Sequence, residues 1–331
     1  MRDIAIDMGT ASTLVWVKGR GIVLDEPTVV AVHQRGGEVR AMGHEAHELI
    51  AHGSGSFVAH RPLVGGAVTD FGATASLLRM VLRRLRVRRP SRLRLVVCIP
   101  SGLTDVERRA LEQAAAQAGI GATYPISGPL AAAMGAGLAI DQPIGTMVVD
   151  AGGGSCKVAM ISLGEIVKCA LIRTGGFDID DAIARYVRSR FDLVIGARVA
   201  EQVKVEIGSA SPQMQMPEPR VEVSGRELAG GRPRTVTLAG DEVRAVIDPC
   251  VSAVLGAVLD VLGNCPPALA QDVVDTGLWL CGGGSKLRGL ATRLAAETGL
   301  PVHTADRPGE AVIRGAGMAV EDPDNWKHLF A

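Results

Sequence analysis

The chain has 331 residues, which is too long for one compact core and predicts two domains. Hydrophobic residues make up 47% of it and charged residues 21%, a composition that excludes a globally disordered protein. The 35 basic residues balance the 35 acidic residues, so no overall field would draw the chain to nucleic acid or to a membrane.

The six cysteines are scattered along the chain, and none belongs to a C-x-x-C pair. We expect them to be reduced and mostly buried, as in a cytoplasmic protein. They are Cys98, Cys156, Cys169, Cys250, Cys265 and Cys281. No signal peptide precedes Asp3 and no apolar run reaches about 18 residues, so we expect no segment that spans a membrane.

Short apolar runs bounded by turn residues alternate with helical patterns, and runs of this length are typical of strands buried on both faces. The predicted strands are Ile4–Ile6, Leu93–Ile99, Met147–Val149 and Leu278–Leu280. The predicted helices are Ala73–Leu85, Thr104–Ala118, Asp178–Arg190, Asp241–Leu262 and Leu287–Glu297. Residues 209–234 are expected to form loops and short strands of a subdomain. The alternation favours an α/β fold.

A nine-residue segment near the N-terminus is echoed in the middle of the chain. Residues 7–15 align with residues 150–158 at a constant offset of 143, and Asp, Gly, Ser and Val coincide. Each copy follows a predicted strand and runs into a second strand-like segment, Thr13–Val17 in the first copy and Lys157–Ile161 in the second. Because the two copies also share this strand context, the echo indicates a duplicated strand–turn–strand unit.

The two repeated turns have the features of phosphate-binding loops. Small residues let the backbone approach a phosphate closely, and several N–H groups can point at one spot. Hydroxyl groups in the turns add further hydrogen-bond donors. The candidate nucleotide-binding residues of the turns are Gly9, Thr10, Ala11, Ser12, Gly152, Gly153, Gly154 and Ser155.

An aspartate ends the strand before each turn, Asp7 in the first copy and Asp150 in the second. These carboxylates are candidates to hold Mg²⁺ through waters, because Mg²⁺ favours one or two carboxylates plus phosphate oxygens. The sequence has neither a G-x-x-x-x-G-K-[ST] loop nor a strand–G-x-G-x-x-G–helix unit, which excludes the common P-loop and dinucleotide folds. A third glycine-rich element, Gly282–Gly284, precedes the helix expected near Leu287 and would let a purine lie against the backbone.

Several segments, taken in order from about residue 3 to residue 321, resemble the MreB/Mbl family of bacterial actins. They are Asp7–Val17, Gly21–Pro27, His60–Leu63, Asp70–Phe71, Val106–Ala110, Val149–Gly154, Val205–Ser209 and Gly282–Leu290. The resemblance implies an actin-like α/β fold of the duplicated, ribonuclease H-like kind, in which two domains each have a large and a small subdomain. It places domain I at 1–144 and 312–331, with its small subdomain at about 30–64. Domain II would span 145–311, with its small subdomain at about 177–248.

The resemblance also implies a ligand and a function. ATP, or GTP, would bind with Mg²⁺ in the cleft between the domains, and the adenosine side would include Lys204, Glu206, Gly282 and Gly283. The chain would form homopolymer filaments in the cytoplasm, peripheral at the inner face of the cell membrane. These filaments would organise cell-wall synthesis and cell shape with membrane proteins of wall synthesis, and nucleic acid is not an expected partner.

The sequence departs from the family pattern at the site of catalysis. The family has a Glu–Glu–Pro stretch whose second Glu orients the attacking water, and here Gly128 stands before Pro129 in its place. Glycine cannot position a nucleophile, so we expect weak hydrolysis and assign no catalytic residue, with Ser155 the remaining candidate. Ser12 stands for the usual Asn and should weaken one phosphate contact, whereas Ser155 keeps the hydroxyl of the usual Thr.

Seven arginines and no acid lie between Arg83 and Arg94. One interpretation is the solvated end of a helix and its following loop. The other is a patch for anionic lipid, formed by Arg86, Arg88, Arg89 and Arg92. Basic residues near such a surface each add about 1 kcal/mol of attraction. The neighbouring apolar candidates for membrane contact are Leu85, Val87 and Leu93.

Two other functions remain open on the sequence alone, because the fold hosts several activities. A sugar- or acetate-kinase-like phosphotransferase would need a catalytic acid, for which only Asp7 and Asp150 are candidates. An Hsp70-like ATPase would be expected to carry a substrate-binding domain, which is not recognised before Ala331.

Overall fold

The computed structural model describes residues 3–52, 55–65, 67–99, 104–212 and 218–329. Its strands are β1 (Asp3–Met8), β2 (Ser12–Val17), β3 (Gly21–Pro27), β4 (Val30–His33), β5 (Val39–Met42), β6 (Phe57–His60), β7 (Leu63–Val64), β8 (Ala67–Val68), β9 (Arg94–Ile99), β10 (Ala122–Ser127), β11 (Thr146–Ala151), β12 (Cys156–Ser162), β13 (Glu165–Ile172), β14 (Leu193–Val194), β15 (Arg220–Glu227), β16 (Pro233–Ala239), β17 (Leu278–Cys281) and β18 (Val302–Thr304).

The helices follow the same chain order and alternate with the strands. They are α1 (Gly43–His52), α2 (Phe71–Arg84), α3 (Asp105–Gln117), α4 (Gly128–Gly135), α5 (Gly176–Phe191), α6 (Ala197–Ile207), α7 (Gly240–Gly263), α8 (Pro267–Thr276), α9 (Leu290–Thr298), α10 (Ala311–Glu321) and α11 (Pro323–Trp326). Short 3₁₀ turns cover Pro90–Arg92, Gly283–Lys286, Pro308–Glu310 and Lys327–Leu329.

Two five-stranded sheets have the same topology. Their strand orders are β10-β9-β1-β2-β3 and β13-β12-β11-β17-β18. In each sheet three consecutive strands form an antiparallel meander, and two later strands add in parallel beside its first strand. The duplication expected from the nine-residue echo therefore extends to a whole sheet.

Helices α4 and α10 pack against each other in the layer between the two sheets. The surrounding core joins apolar residues of both sheets, such as Ala5 and Val96 from one and Val148 and Ala159 from the other. The helices cross closely, since a Cβ on Gly315 would collide with the carbonyl oxygen of Ala131. This layer fixes how one half of the molecule lies on the other.

Two further cores lie on the outer faces of the sheets. One packs α2 and α3 on the first sheet, and the other packs α5, α6, α7 and α9 on the second. A small sheet, β5-β4-β6, lies within residues 30–60, and another, β14-β15-β16, lies within residues 193–239. Each small sheet falls in a range expected to form a small subdomain; the domain boundaries themselves remain predictions.

The predicted strands and most predicted helices are confirmed to within a few residues. The Glu107 amide donates to the Thr104 hydroxyl oxygen at 3.2 Å, and the Thr104 amide donates to the Glu107 carboxylate at 2.9 Å. These two hydrogen bonds form the expected capping box at α3. The expected helix start near Leu287 is wrong, because α9 begins at Leu290. Gly289, with a φ of 72°, separates α9 from the 3₁₀ turn before it.

Helix α7 qualifies the expectation that no segment could span a membrane. Among the described residues, this 24-residue helix is the one long and apolar enough to cross a bilayer. Its apolar face packs in the core of the second half, with Val243, Ile247, Val251 and Val258 buried. That packing is typical of a core helix.

Candidate functional site

A cavity of about 440 Å³ lies where the two repeated turns meet. Its volume falls in the range of small-molecule sites. The predicted phosphate-loop residues from Gly9 to Ser12 and from Gly152 to Ser155 all line it, as do Gly282, Gly283 and Gly284. The tertiary structure therefore brings three separate glycine-rich segments to one site.

The two turns have the same internal geometry. The Gly9 amide donates to the Ser12 carbonyl oxygen at 2.9 Å, and the Gly152 amide donates to the Ser155 carbonyl oxygen at 2.9 Å. Both turns close antiparallel hairpins, β1–β2 and β11–β12, in the same register. The turns therefore present equivalent backbone to the cavity from opposite sides.

The turns also touch each other. A Cβ on Gly154 would lie 2.7 Å from the side-chain oxygen of Thr10, and one on Gly153 would lie 2.6 Å from Cβ of Ala11. Side chains at either glycine would push the turns apart. The glycines are needed for this close approach, and a cradle of small residues results that suits a chain of phosphates.

Both predicted metal-binding aspartates face this cavity. Burial raises the pKa of Asp7 to about 7, while Lys157 acts to lower it and Asp150 to raise it. The two carboxylates fit a Mg²⁺ ion held through waters and phosphate oxygens, which needs few protein ligands. Within the described ranges, no cluster of three His, Cys, Asp or Glu side chains could hold a metal without such help.

Lys157 is a site residue that sequence reasoning missed. Its Nζ lies 3.0 Å from Oδ2 of Asp150, and both side chains are largely buried in the cavity wall. The partnership follows from register, since Asp150 and Lys157 are paired across the β11–β12 hairpin. The echo contained the signal, because it aligns Lys157 with Leu14 and so marks a charge found in one copy alone.

The expected adenosine side is only partly assembled. Lys204 lines the cavity, with its Nζ 2.8 Å from Oδ1 of Asp180 and 3.1 Å from the Gly176 carbonyl oxygen. Glu206 is exposed on α6 and does not line the cavity, whereas Glu201 and Val205 of the same helix do. Helical geometry explains the difference, because successive residues of a helix point about 100° apart and a turn that places Val205 beside the cavity directs Glu206 away from it.

Gly128 lines the cavity as the first residue of α4. Cys98 and Ile99, at the end of the adjacent strand β9, also line the cavity and bring no carboxylate. Glu107 cannot substitute, because the α3 capping box holds its side chain. Among the described residues, the acids that line the cavity are Asp7, Asp150 and Glu201.

A cation–π contact joins the two halves of the molecule beside the site. The Arg61 guanidinium lies 4.0 Å from the centroid of the Phe177 ring, and its Nη1 donates to the Thr10 carbonyl oxygen at 3.2 Å. Phe177 lines the cavity. Arg61 lies in the segment His60–Leu63 that carries part of the family resemblance, but the sequence assigned neither residue a role, because a contact between distant segments leaves no local pattern.

The cysteines are free, as expected, but the expectation that they are mostly buried is only half right. Cys98, Cys156 and Cys281 are buried, Cys169 is exposed, and the other two are half-buried. Burial raises the pKa of the Cys156 and Cys281 thiols to about 12. Both thiols are protonated near neutral pH and are therefore poor nucleophiles, and Cys156 lines the cavity.

The arginine segment lies away from the cavity, at the end of α2 and before β9. Arg86, Arg88, Arg89 and Arg92 are exposed, and none of them has a carboxylate within ion-pair distance among the described residues. Leu93 is buried, and Leu85 and Val87 pack on the core. The burial of Leu93 shows that it is not available for membrane contact, whereas membrane contact by the half-buried Leu85 and Val87 stays a prediction.

Comparisons with known proteins agree with this architecture. The model of the MreB/Mbl protein family matches residues 1–328. The chain is 43% identical to the cell shape-determining protein MreB of Escherichia coli K12 over 96% of this chain and 93% of that protein.

Solved structures extend the comparison to the fold. The structure of Spiroplasma citri MreB5 bound to ADP superposes with a TM-score of 0.91 at 31% identity, covering 99% of this chain and 98% of the other. The MamK double helical filament has a TM-score of 0.81 at 19% identity, covers 97% and 99% of the two chains, and bears on the fold alone. From its sequence, its duplicated sheets and these similarities, the chain belongs to the MreB/Mbl family and has the actin-like fold.

Proposed function

We propose that this chain is a nucleotide-dependent, actin-like cytoskeletal protein that takes part in determining cell shape. The observation that carries the proposal is the pair of equivalent glycine-rich turns facing each other across one cavity. Its relative in E. coli is a cell shape-determining protein, and its structural neighbour in S. citri was solved with ADP.

The bound nucleotide is ATP or GTP, with Mg²⁺. The backbone of Gly9–Ser12 and Gly152–Ser155 holds the phosphates, and the Thr10 and Ser155 hydroxyls add donors. Gly282–Gly284 and Lys204 border the nucleoside. Asp7 and Asp150 would hold Mg²⁺ through waters, and the ion would neutralise part of the phosphate charge.

Hydrolysis is weak because Gly128 supplies no group to orient the attacking water. Phosphoryl transfer depends on positioning and charge neutralisation, and a water-orienting side chain is one of its usual parts. The two turns and the carboxylates remain, so binding persists where turnover is slow.

The proposal also includes filament formation and binding of the filament to the cell membrane. The chain self-associates in its nucleotide-bound form, and MamK, a protein of the same fold, was solved as a double helical filament. The exposed arginines of the segment after α2 attract an anionic membrane surface at the cytoplasmic face, where the filament organises membrane proteins of wall synthesis.

Sedimentation tests this function. The wild-type chain should pellet with ATP and not without nucleotide, whereas Gly154→Val should fail to respond, because its side chain would meet Thr10. Gly36→Val is the matched control, since the space around Gly36 holds only the His33 ring at 3.9 Å. Pelleting that ignores nucleotide would contradict the proposal, and phosphate transfer to a sugar or acetate would favour a kinase.

A further inference from the structure

Lys157 is the one charged residue by which the two repeated turns differ. Over residues 7–15 and 150–158 the aspartates coincide, whereas Leu14 of the first copy is replaced by Lys157 in the second. Leu14 is paired with Asp7 across its hairpin, and Lys157 is paired with Asp150 in the same register. The duplication thus provides an internal comparison of one site with and without a built-in cation.

The fold does not require this lysine. The first hairpin closes with the same 2.9 Å turn hydrogen bond and buries Leu14 at the equivalent position. A buried ion pair adds little net stability compared with apolar residues of similar volume, because both charges lose their hydration. A role at the site accounts better for a lysine that lies in the cavity wall.

Lys157 also supplies positive charge beside the two aspartates, where a metal ion would otherwise be needed to offset their negative charge. Its ammonium lies 3.0 Å from Asp150, one of the two carboxylates expected beside Mg²⁺, and it lines the same cavity as Asp7. With both aspartates ionised the three groups carry a net charge of −1, where the carboxylates alone would carry −2. Lysine has three N–H donors, and Asp150 accepts one of them, so others can reach a phosphate oxygen.

We propose that Lys157 is a built-in counter-ion of the phosphate site, which pairs with Asp150 and with the nucleotide phosphates and makes nucleotide binding largely independent of divalent metal. This inference rests on the proposed function, since it concerns the same nucleotide site. Mg²⁺ still binds beside phosphates, but it meets a weaker negative potential, because the ammonium has already neutralised one carboxylate.

Calorimetric titration of ATP and ADP into the full chain tests the inference, once with excess Mg²⁺ and once with EDTA. The wild type should bind each nucleotide with affinities that differ by less than about fivefold between the two conditions. Lys157→Leu, which copies the first hairpin, should lose about tenfold or more of metal-free affinity and keep most of its Mg²⁺-bound affinity.

Two further variants keep the test decisive. Lys157→Arg preserves the charge and should bind metal-free nucleotide as the wild type does. Lys168→Leu is the matched control, because Lys168 is half-buried on the neighbouring β13 and lies outside the cavity. Should Lys157→Leu fail to fold, the wild type and Lys157→Arg still give the metal dependence directly.

The outcomes separate the inference from the function beneath it. Wild-type binding that weakens about a hundredfold or more without metal would overturn the role of Lys157 and leave nucleotide binding intact. Equal metal dependence of wild type and Lys157→Leu would also overturn it. Absence of binding under both conditions would overturn the proposed function itself.

Discussion

At the scale of single residues, Gly128 decides what chemistry the site can perform. Gly128 lines the cavity at the start of α4, and glycine offers no functional group there. Its φ lies outside the left-handed region, and a Cβ would lie 3.2 Å from the Ile99 carbonyl oxygen, so that Ile99 must shift by a few tenths of an ångström to admit any side chain. The Gly128→Ala variant measures the cost of that shift separately from the effect of a carboxylate.

We expect Gly128→Glu to increase phosphate release under polymerising conditions by roughly 10²–10⁴-fold, the usual contribution of a positioned acid or base. Gly128→Ala adds the same Cβ without a carboxylate and should stay as slow as the wild type. Nucleotide affinity should change little in either variant, because the turns are untouched. Brisk phosphate release by the wild type would show that another group orients the water.

Asp7 should make the stability of the nucleotide-free protein depend on pH. Its pKa is raised from 3.8 to about 7 in the folded state, so between these values the folded chain retains a proton that the unfolded chain has lost. Stability from this group therefore falls as pH rises through the window, by about 1.4 kcal/mol per pH unit, and is level above pH 7.

Asp7→Asn should remove that dependence. The test measures the unfolding free energy of both proteins by urea denaturation at pH 4, 5.5, 7 and 8. The value for the variant minus the value for the wild type should increase as pH rises to about 7 and then stay constant. The comparison cancels the titration of all other groups. A difference that is constant from pH 4 to pH 8 would mean that Asp7 titrates normally.

At the scale of elements, the crossing of α4 and α10 holds the two halves together. Gly315→Ala would place a methyl group on the Ala131 carbonyl oxygen, and backbone cannot swing aside as a side chain can. We expect a loss of about 1–3 kcal/mol or more in unfolding free energy, as for overpacked cores. Gly256→Ala, in α7 with nothing within 4 Å, should be neutral or stabilising.

At the scale of the whole molecule, the exposed arginines between α2 and β9 form the surface that we expect to bind an anionic membrane. Replacing Arg86, Arg88, Arg89 and Arg92 by Ser should reduce pelleting with anionic liposomes. Pelleting of the wild type with these liposomes should decrease near 1 M salt, where the Debye length is about 3 Å. The matched control replaces four exposed arginines of the other half, Arg185, Arg188, Arg226 and Arg232. Binding that ignores lipid charge and salt would contradict the membrane interpretation.

The sequence by itself determined the local units of this protein. Apolar runs predicted the central strands because burial on both faces leaves no alternation, and Thr104 with Glu107 predicted the start of α3 because capping is local. The echo of residues 7–15 at 150–158 predicted two hairpins whose turns now line one cavity. Each of these signals lies within a short stretch of chain.

The tertiary structure decided what depends on distant neighbours. Burial and two nearby charges set the pKa of Asp7, and hairpin register placed Lys157 on Asp150. The orientation of α6 places Val205, and not Glu206, beside the cavity, although both side chains are exposed. Desolvation, register and helix orientation arise only when segments far apart in sequence pack together, which is why no local pattern could predict them.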